Sequence, residues 1–318
     1  MDAYEDIKSL GRGAFATVRL VRKKADNEYL VVKRFHVPMN ELSIKERLEV
    51  AQEVKLLAHL SHTNIIRFVD NFVEKGIMHI VMEYCPGGTL DKRIIMREGE
   101  LMEENQIWEW FVQIVLALKY VHAHNVLHRD LKTQNIMLGG PQQRTIKLGD
   151  FGIAKILGTQ GDMANTMVGT PHYLSPELCQ GQVYDQKSDV WALGCVLYEL
   201  AALFKPFDAS NMPAIIFSIM RNKPPPLPDS FSSDLHDMVN RLLQPNPQDR
   251  PTLEELYHMP IVQTHLKKWE STCRRLSKPL PTPGGAGRRR SGQRRRTSGA
   301  SHASDADRRS SAASVHGG

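Results

Sequence analysis

Four polar side chains that could carry out chemistry together lie on loops between short apolar runs, within residues 128–152. Asp130 can take a proton from a hydroxyl group. Asn135 and Asp150 offer the oxygen ligands that a hard cation such as Mg²⁺ prefers. Lys132 can neutralise a phosphoryl group during transfer. The types and spacing of these residues therefore predict a loop site for phosphate chemistry, which needs a phosphate-binding element elsewhere in the chain.

A turn near the N-terminus is the candidate for that phosphate-binding element. It reads Gly11-Arg12-Gly13-Ala14-Phe15-Ala16-Thr17-Val18, and Leu30-Val31-Val32-Lys33 follows on the next predicted strand. Glycines let backbone amides approach phosphates, and a lysine on the following strand can reach them. No helix follows the turn, which argues against a dinucleotide-binding turn, and the Gly-Lys-Ser/Thr ending of a Walker loop is absent. An ordinary hairpin turn is the alternative interpretation.

The composition limits the other function classes. The chain has 318 residues, 41% of them hydrophobic, which is enough for a sizeable core. It contains no apolar run of about 18 residues and no secretory signal, so we expect neither a membrane span nor export. The four cysteines form no C-x-x-C pair, which favours a reducing, intracellular setting over a disulfide framework or a metal site.

The net charge of +6 is confined to the C-terminal tail. Residues 279–318 contain eight arginines and two aspartates, so residues 1–278 are neutral overall. This balance does not favour a nucleic-acid-binding domain. The tail also lacks Phe, Tyr and Trp, and we predict that it is disordered.

Hydrophobic periodicity predicts a strand-rich first part and a helical second part, divided at Pro86-Gly87-Gly88. Ser43 and Glu46 form a capping-box pattern at the start of the first helix. The helix around Val190 is apolar nearly all round, so we expect it to be buried. The predicted strands cover 4–10, 17–21, 29–35, 65–72 and 77–82, and the predicted helices cover 43–60, 103–123, 187–203, 211–220, 231–243 and 252–258.

With these parts assembled, residues 4–262 resemble a Ser/Thr protein kinase domain. The resemblance is carried by His128-Arg129-Asp130-Leu131-Lys132-Thr133-Gln134-Asn135, by Asp150-Phe151-Gly152 and by Ser175-Pro176-Glu177. The first of these runs is similar to the NIMA-related kinases in particular. The resemblance implies an α+β, bilobal fold, with a small antiparallel sheet and one helix in the N-lobe and a mainly helical C-lobe. The implied boundaries are 1–85 and 86–262 for the lobes, 263–278 for a C-terminal extension and 279–318 for the basic tail.

The resemblance also implies a role for each site residue. Lys33, held by Glu53, would position ATP, while Asp130 and Lys132 would act on the substrate hydroxyl and the transferred group. Mg²⁺, with Mn²⁺ as an alternative, would bind Asn135 and Asp150. The implied nucleotide-binding residues are Gly11, Arg12, Gly13, Val18, Val31, Lys33, Glu83, Cys85 and Met137. The implied regulatory residues are Arg129, Thr166 and Thr170, with Thr166 as the phosphorylation site.

Other positions either support the family frame or depart from it. Glu177 and Arg250 would form a buried ion pair, and Asp189 would anchor the backbone of the catalytic loop. The third glycine of the turn is replaced by Ala16, whose methyl group we expect to stiffen the turn slightly. Gln134 stands where arginine-directed kinases have a glutamate, so a preference for arginine near the target is not expected.

The resemblance implies protein substrates with Ser or Thr hydroxyls and a role in cell-cycle, ciliary or microtubule regulation. We expect a cytoplasmic location, with the cytoskeleton, the centrosome or basal body, and the nucleus as alternatives. Neither a membrane nor a nucleic acid is an expected partner. The arginine clusters of the tail could bind cytoskeletal or other acidic partners, act as a nuclear localisation signal, carry phosphorylation sites, or serve only as a solvated tail. A catalytically inactive pseudokinase scaffold is the alternative to an enzyme.

Overall fold

Five strands and one helix make up the N-terminal part of the chain. The computed structural model describes residues 1–13, 15–150 and 171–276, apart from the side chains of Glu49, Glu53 and Leu56. The elements are β1 Tyr4–Arg12, β2 Ala16–Lys23, β3 Tyr29–Pro38, α1 Ile44–His59, β4 Phe68–Glu74 and β5 Ile77–Glu83. The strands form one antiparallel sheet in the order β1-β2-β3-β5-β4.

The register of this sheet brings the glycine turn and the candidate lysine together. Val18 on β2 pairs with Gly11 on β1 and with Lys33 on β3. Val31, two residues before Lys33, pairs with Met82 on β5. Residues two apart on a strand point to the same face. Val31 and Lys33 therefore lie on one face of the sheet, beneath the turn between β1 and β2.

Helix α1 begins where the sequence predicts. The hydroxyl of Ser43 accepts a hydrogen bond from the backbone N–H of Glu46, and the Glu46 carboxylate accepts one from the backbone N–H of Ser43. Such a capping box satisfies two donors that a helix start leaves unpaired. Val50 and Val54 on this helix are buried in a small apolar cluster with Phe35 of β3. The cluster fixes α1 against the sheet.

The C-terminal part is helical except for one short hairpin. Within residues 84–150 and 171–276, the helices and strands are α2 Leu90–Ile95, α3 Glu104–Ala123, β6 Ile136–Gly139, β7 Thr145–Leu148, α4 Pro176–Cys179, α5 Gln186–Ala202, α6 Met212–Arg221, α7 Ser233–Leu242, α8 Leu253–His258 and α9 Pro260–Leu276. All residues from 188 to 202 on α5 are buried, as the apolar sequence predicts. Helix α5 is thus the centre of the larger core, and its polar residues can bond only within the protein.

The two parts are joined by a buried amide network. The side-chain amide of Asn64, in the segment before β4, donates to Gln113 Oε1 on α3 over 2.9 Å and to the carbonyl of Ile146 on β7 over 3.1 Å. The same Gln113 oxygen accepts from the backbone N–H of Ile146. Every one of these buried groups has a partner, so the network holds the base of the sheet on the helical part.

Two features differ from the predictions or extend them. Strand β4 begins at Phe68 rather than at 65, because the segment before it pairs with β7. The backbone N–H of Ile66 donates to the Leu148 carbonyl, and the N–H of Leu148 donates to the Asn64 carbonyl. Helix α9 was not predicted, and it runs without a break through the predicted boundary at 262. Its apolar positions bury Val262, Leu266 and Trp269. Residues 151–170 and 277–318, including the tail, lie outside the described residues.

Among the helices of the described ranges, none combines the length and the apolar character needed to cross a bilayer.

Candidate active site

The loop from His128 to Asn135 gathers its polar side chains around Asp130. The side-chain amide of Asn135 donates to Asp130 Oδ2 over 2.9 Å and to the Asp130 carbonyl over 2.8 Å. The Lys132 ammonium lies 2.8 Å from the same carboxylate oxygen. The sequence predicted that these three residues act together, and the structure brings them into direct contact. A cation and an amide thus fix the orientation of the Asp130 carboxylate before any substrate binds.

A buried carboxylate on α5 holds this loop from below. Asp189 accepts from the backbone N–H of His128 over 2.9 Å and from that of Arg129 over 3.1 Å. It also accepts from Tyr184 and from His122. Burial opposes ionisation of Asp189, but the hydrogen bond from His122 and the other donors keep its pKa below the usual range. The predicted anchoring role of Asp189 is confirmed.

The loop backbone is strained where it is anchored. Arg129 has a positive φ of 64°, and Asp150 has one of 58°. Such conformations are unfavourable for residues other than glycine, and they persist only where the surroundings impose them. At Arg129 the bond to Asp189 supplies that constraint.

The ring of His128 connects the Asp130 loop to the chain before Asp150. Its Nε2 donates to the carbonyl of Gly149 over 3.1 Å, and its Nδ1 accepts from the backbone N–H of Asp130 over 3.3 Å. Burial lowers the pKa of His128 despite the neighbouring carboxylates, so the ring is neutral and both bonds fit the Nε2–H tautomer. The ring fixes the spacing between the two loops that carry Asp130 and Asp150.

Lys33 and Asp150 meet although 117 positions separate them in the chain. The buried Lys33 ammonium forms an ion pair with Asp150 Oδ1. Beside the pair lies an apolar cavity whose wall includes Leu57, Ile80 and Met82. The ion pair joins the sheet to the helical part at the point where the sequence predicted phosphates and a cation.

Glu83, the last residue of β5, is fixed by Lys147, a residue that the sequence analysis did not single out. The Lys147 ammonium on β7 lies 2.8 Å from Glu83 Oε1, and this oxygen also accepts from the backbone N–H of Arg67 over 2.8 Å. The backbone N–H of Glu83 donates to the Arg67 carbonyl, so an adenine contact at Glu83 would use its carbonyl. Burial raises the pKa of the nearby Cys85 thiol to about 12, so at neutral pH this group is not a nucleophile.

The other predicted nucleotide-binding residues lie on or next to the first strands of the sheet and on β6. Among the described residues, no atom lies within 4 Å of where a side chain on Gly11 would begin, and a side chain on Gly13 would approach only the Ala16 carbonyl, at 3.7 Å. Below them, Met137 lies on β6, and its terminal carbon is 3.0 Å from where a side chain on Gly149 would begin. Arg12 ends β1 and is exposed. The absence of side chains at both glycines leaves the backbone of the turn open to a ligand.

The donor set at Asn135 and Asp150 suits a hard divalent cation. The Asn135 amide nitrogen is used by Asp130, and the side-chain oxygen accepts no hydrogen bond from the described residues, so it can serve as a metal ligand. Asp150 is partly exposed and supplies a carboxylate. A nucleotide-bound cation needs only one or two such protein ligands, because phosphates and water complete its shell. The two residues fit this role.

Some predicted relations fall on residues that the structure does not describe. The side chain of Glu53 is one, so its proposed pairing with Lys33 stays a prediction. Thr166 and Thr170 lie in the undescribed segment 151–170. Arg129 is exposed beside the Asp130 loop. The predicted Glu177–Arg250 pair is confirmed, with two parallel hydrogen bonds of 2.8 and 2.7 Å.

Comparison with known proteins identifies the family. Residues 4–262 match the family model described as protein kinase domain. The chain is 42% identical over 294 residues to serine/threonine-protein kinase Nek1 of Mus musculus, covering 89% of this chain and 24% of that protein. It is 44% identical over 285 residues to serine/threonine-protein kinase Nek8 of Danio rerio, covering 88% of this chain and 40% of that protein. For serine/threonine-protein kinase nekl-2 of Caenorhabditis elegans, the identity is 39% over 286 residues, covering 88% of this chain and 80% of that protein.

The chain thus spans only 24% of the length of Nek1 but most of nekl-2. The matched region contains every residue of the site described above. Both the fold and the sequence lead to one assignment: the chain belongs to the protein kinase family, within its NIMA-related (Nek) group.

Proposed function

We propose that this chain is a Ser/Thr protein kinase that transfers the γ-phosphoryl group of ATP to a Ser or Thr hydroxyl of a protein. The observation that carries the proposal is that Lys132 and Asn135 contact Asp130 while Lys33 pairs with Asp150, and that His128 joins the two loops. The Asp130 group can act on a hydroxyl. In the second pair, the Lys33 ammonium is complementary to the phosphates of a nucleotide, and the Asp150 carboxylate is complementary to its cation. Together the two groups supply the base, the cations and the metal ligands that phosphoryl transfer uses.

Each residue then has one task. Lys33 would bind the phosphates of ATP, and its ion-pair partner Asp150 would hold the cation. Asp130 orients the substrate hydroxyl and accepts its proton. The new oxygen–phosphorus bond forms as the bond from the γ-phosphorus to the bridging oxygen breaks, and ADP leaves. Lys132 stabilises the charge on the group in transfer.

Asn135 and Asp150 would hold the divalent cation, for which we propose Mg²⁺, with Mn²⁺ as the alternative. When bound, the cation neutralises charge on the phosphate oxygens. The protein supplies positions for it in two ways: Asp130 holds the Asn135 amide, and His128 fixes the carbonyl of Gly149 directly before Asp150.

A pseudokinase scaffold is the competing function. It would need a site in which one of the reacting or cation-binding side chains is missing or turned away. In this chain Lys33, Asp130, Asn135 and Asp150 are all present and in contact with one another in pairs. That arrangement favours an active kinase over a pseudokinase scaffold.

One assay separates the two functions. The purified chain, with Mg²⁺ and ATP, is incubated with a generic Ser/Thr protein substrate, and phosphate incorporation is compared with that of Asp150→Ala and Asp130→Asn. We expect each variant to lose at least about a hundredfold in rate, because each lacks a group that acts on the reacting atoms. Asp237→Asn, an exposed aspartate on α7, is the matched control and should keep full activity. Equal incorporation by all four proteins would refute the enzyme.

The cellular role is a separate proposal that rests on the Nek resemblance. We propose regulation of the cell cycle, cilia or microtubules, and binding of the arginine-rich tail to an acidic cytoskeletal partner. The eight arginines of residues 279–318 support the second part. Imaging a fluorescent fusion with and without residues 284–318 tests it, because an unchanged distribution would exclude a targeting role for the tail.

A further inference from the structure

A buried polar cluster lies beneath the Asp130 loop, and the roles proposed above do not use it. It consists of Thr133, Tyr173 and Glu199, and we call it the Thr133 cluster. The Thr133 hydroxyl is 3.1 Å from the Tyr173 hydroxyl and donates to Glu199 Oε2 over 3.2 Å. Tyr173 donates to the same carboxylate oxygen. Thr133 is fully buried, and Glu199 is only 4% exposed.

Burying a carboxylate costs free energy unless hydrogen bonds or an opposite charge compensate its charge. Burial raises the pKa of Glu199, and the hydrogen bonds from Tyr173 and Thr133 oppose that shift, as does Lys205. Asp91 acts in the same direction as burial. Hydrogen bonds from neutral donors to a buried charged group are stronger than neutral pairs. The two hydroxyl groups are therefore substantial contributors to holding Glu199 in place.

The cluster connects three separate pieces of chain. Thr133 begins the single helical turn Thr133–Asn135 of the Asp130 loop, Tyr173 ends the turn Pro171–Tyr173 that follows residue 170, and Glu199 lies on the buried helix α5. Because α5 is enclosed by the core, Glu199 is a fixed point. The two turns bond to one oxygen of this fixed point, so neither can move without disturbing the other.

We propose that Thr133 is a positioning residue for phosphoryl transfer. This inference rests on the proposed function. Thr133 stands between Lys132 and Asn135, and both neighbours contact the Asp130 carboxylate. Asp189 fixes the start of the loop through His128 and Arg129, whereas the Thr133 bond to Glu199 fixes its end. Without that second attachment, the Lys132 and Asn135 side chains lose their set positions around Asp130, and errors of about 1 Å in such positions strongly slow a reaction.

The test compares Thr133→Val, which removes the hydroxyl at nearly constant volume, with Thr133→Ser, which keeps it. Each rate is divided by the concentration of nucleotide-binding sites, which is measured by titration with an ATP analogue. A variant that is partly unfolded therefore does not show a falsely low rate. For Thr133→Val we expect kcat to fall about tenfold, the loss typical of one hydrogen bond to a charged group, while the KM for ATP stays within about twofold. Thr133→Ser should recover most of the rate.

Thr264→Val is the matched control, because in the described part of the chain its exposed hydroxyl on α9 bonds only to the carbonyl of Pro260, over 2.8 Å. Its rate should equal that of the unmodified chain. If Thr133→Val keeps its kcat per binding site within about twofold of that chain, the residue is merely structural and the proposal is wrong.

A second variant covers the case in which Thr133→Val does not fold. Tyr173→Phe removes the other hydroxyl of the cluster, and its kcat should fall with an unchanged KM for ATP. Where both variants fold, the double variant should lose less than the product of the two single losses, since both bond to Glu199. The proposal would be overturned if the kcat loss of the double variant equalled the product of the two single losses, or if Tyr173→Phe left kcat unchanged. An unmodified chain without activity would instead refute the proposed function.

Discussion

The Asp130 loop and the glycine turn both belong to the proposed site but are held in opposite ways. The loop is attached from below by Asp189 and Glu199, two buried carboxylates of α5. The glycine turn joins β1 to β2, and every residue of β1 after Tyr4 is exposed. Its main attachments are backbone pairs with β2, such as the bond from the Gly13 N–H to the Ala16 carbonyl over 2.9 Å.

This difference follows from what each part has to do. Groups that stabilise charge in a reaction act best when they are fixed in advance, which requires buried partners. A turn that closes over a nucleotide must admit and release it, which favours exposed backbone and few side-chain contacts. The helical part thus holds the reacting groups in fixed positions, whereas the edge of the sheet supplies a turn that can adapt to the nucleotide.

The largest expected effect is at the anchor of the rigid region. Asp189→Asn replaces a buried carboxylate that accepts from two backbone N–H groups, His122 and Tyr184 with an amide that cannot accept them all. We expect the free energy of unfolding to fall by about 3 kcal/mol, because breaking a buried charge network leaves its donors unpaired. Denaturant unfolding measures the change.

An exposed aspartate provides the control for that measurement. Asp237→Asn on α7 should change the free energy of unfolding by less than about 0.5 kcal/mol. If Asp189→Asn and Asp237→Asn have equal free energies of unfolding, Asp189 does not anchor the Asp130 loop, and the contrast with the glycine turn is wrong.

A second, intermediate effect is a dependence of stability on pH. Burial lowers the pKa of His62, His79, His128 and His265 in the folded protein. The unfolded chain protonates its histidines near about pH 6.5, so below that pH it binds more protons than the folded chain. The free energy of unfolding should therefore fall between about pH 7.5 and about pH 5.5. The pKa of Glu199 is raised by burial, so its contribution has the opposite sign.

Denaturant unfolding across this pH range tests the sign. Glu199→Gln removes the opposing contribution and should steepen the fall in stability as the pH decreases. His128→Gln should make the fall shallower, whereas His258→Gln, at a side chain that is 66% exposed, should leave it unchanged. A stability that rises as the pH decreases would contradict the assignment of neutral buried histidines.

The smallest expected effect is at the glycine turn. Ala16 replaces the third glycine, and its methyl group is buried against the apolar cluster that contains Phe35 and Val54. Ala16→Gly should lower the free energy of unfolding by about 1 kcal/mol, through the lost methyl burial and the greater freedom of glycine. The KM for ATP should change by less than about twofold, because the exposed part of the turn is unaltered.

Ala3→Gly, at an exposed position before β1, is the control for the stability measurement. A large change in the KM for ATP with Ala16→Gly would mean that this methyl group acts on the nucleotide, as a stiffener of the turn, and not mainly on the core.

Much of the fold could be predicted because local signals are strong in this chain. The capping box at Ser43 and the apolar sequence of α5 each specify an element through interactions within a few residues. The signals failed where a distant partner decides the structure. Strand β4 starts late because the backbone on either side of Ile65 hydrogen-bonds to Leu148 on β7. Helix α9 was missed because its polar face masks the few apolar positions that pack on the core, such as Trp269.

For the site, the sequence by itself determined which chemical groups are available. Asp130, Lys132, Asn135, Lys33 and Asp150 could be named because their types and spacing fit one reaction. Only the tertiary structure decided how these groups are held. The bond between Thr133 and Glu199 joins residues 66 positions apart, and the Lys33–Asp150 pair joins residues 117 apart. Such pairs leave no local pattern in the chain, because the packing of the core around α5 and the register of the sheet bring them together.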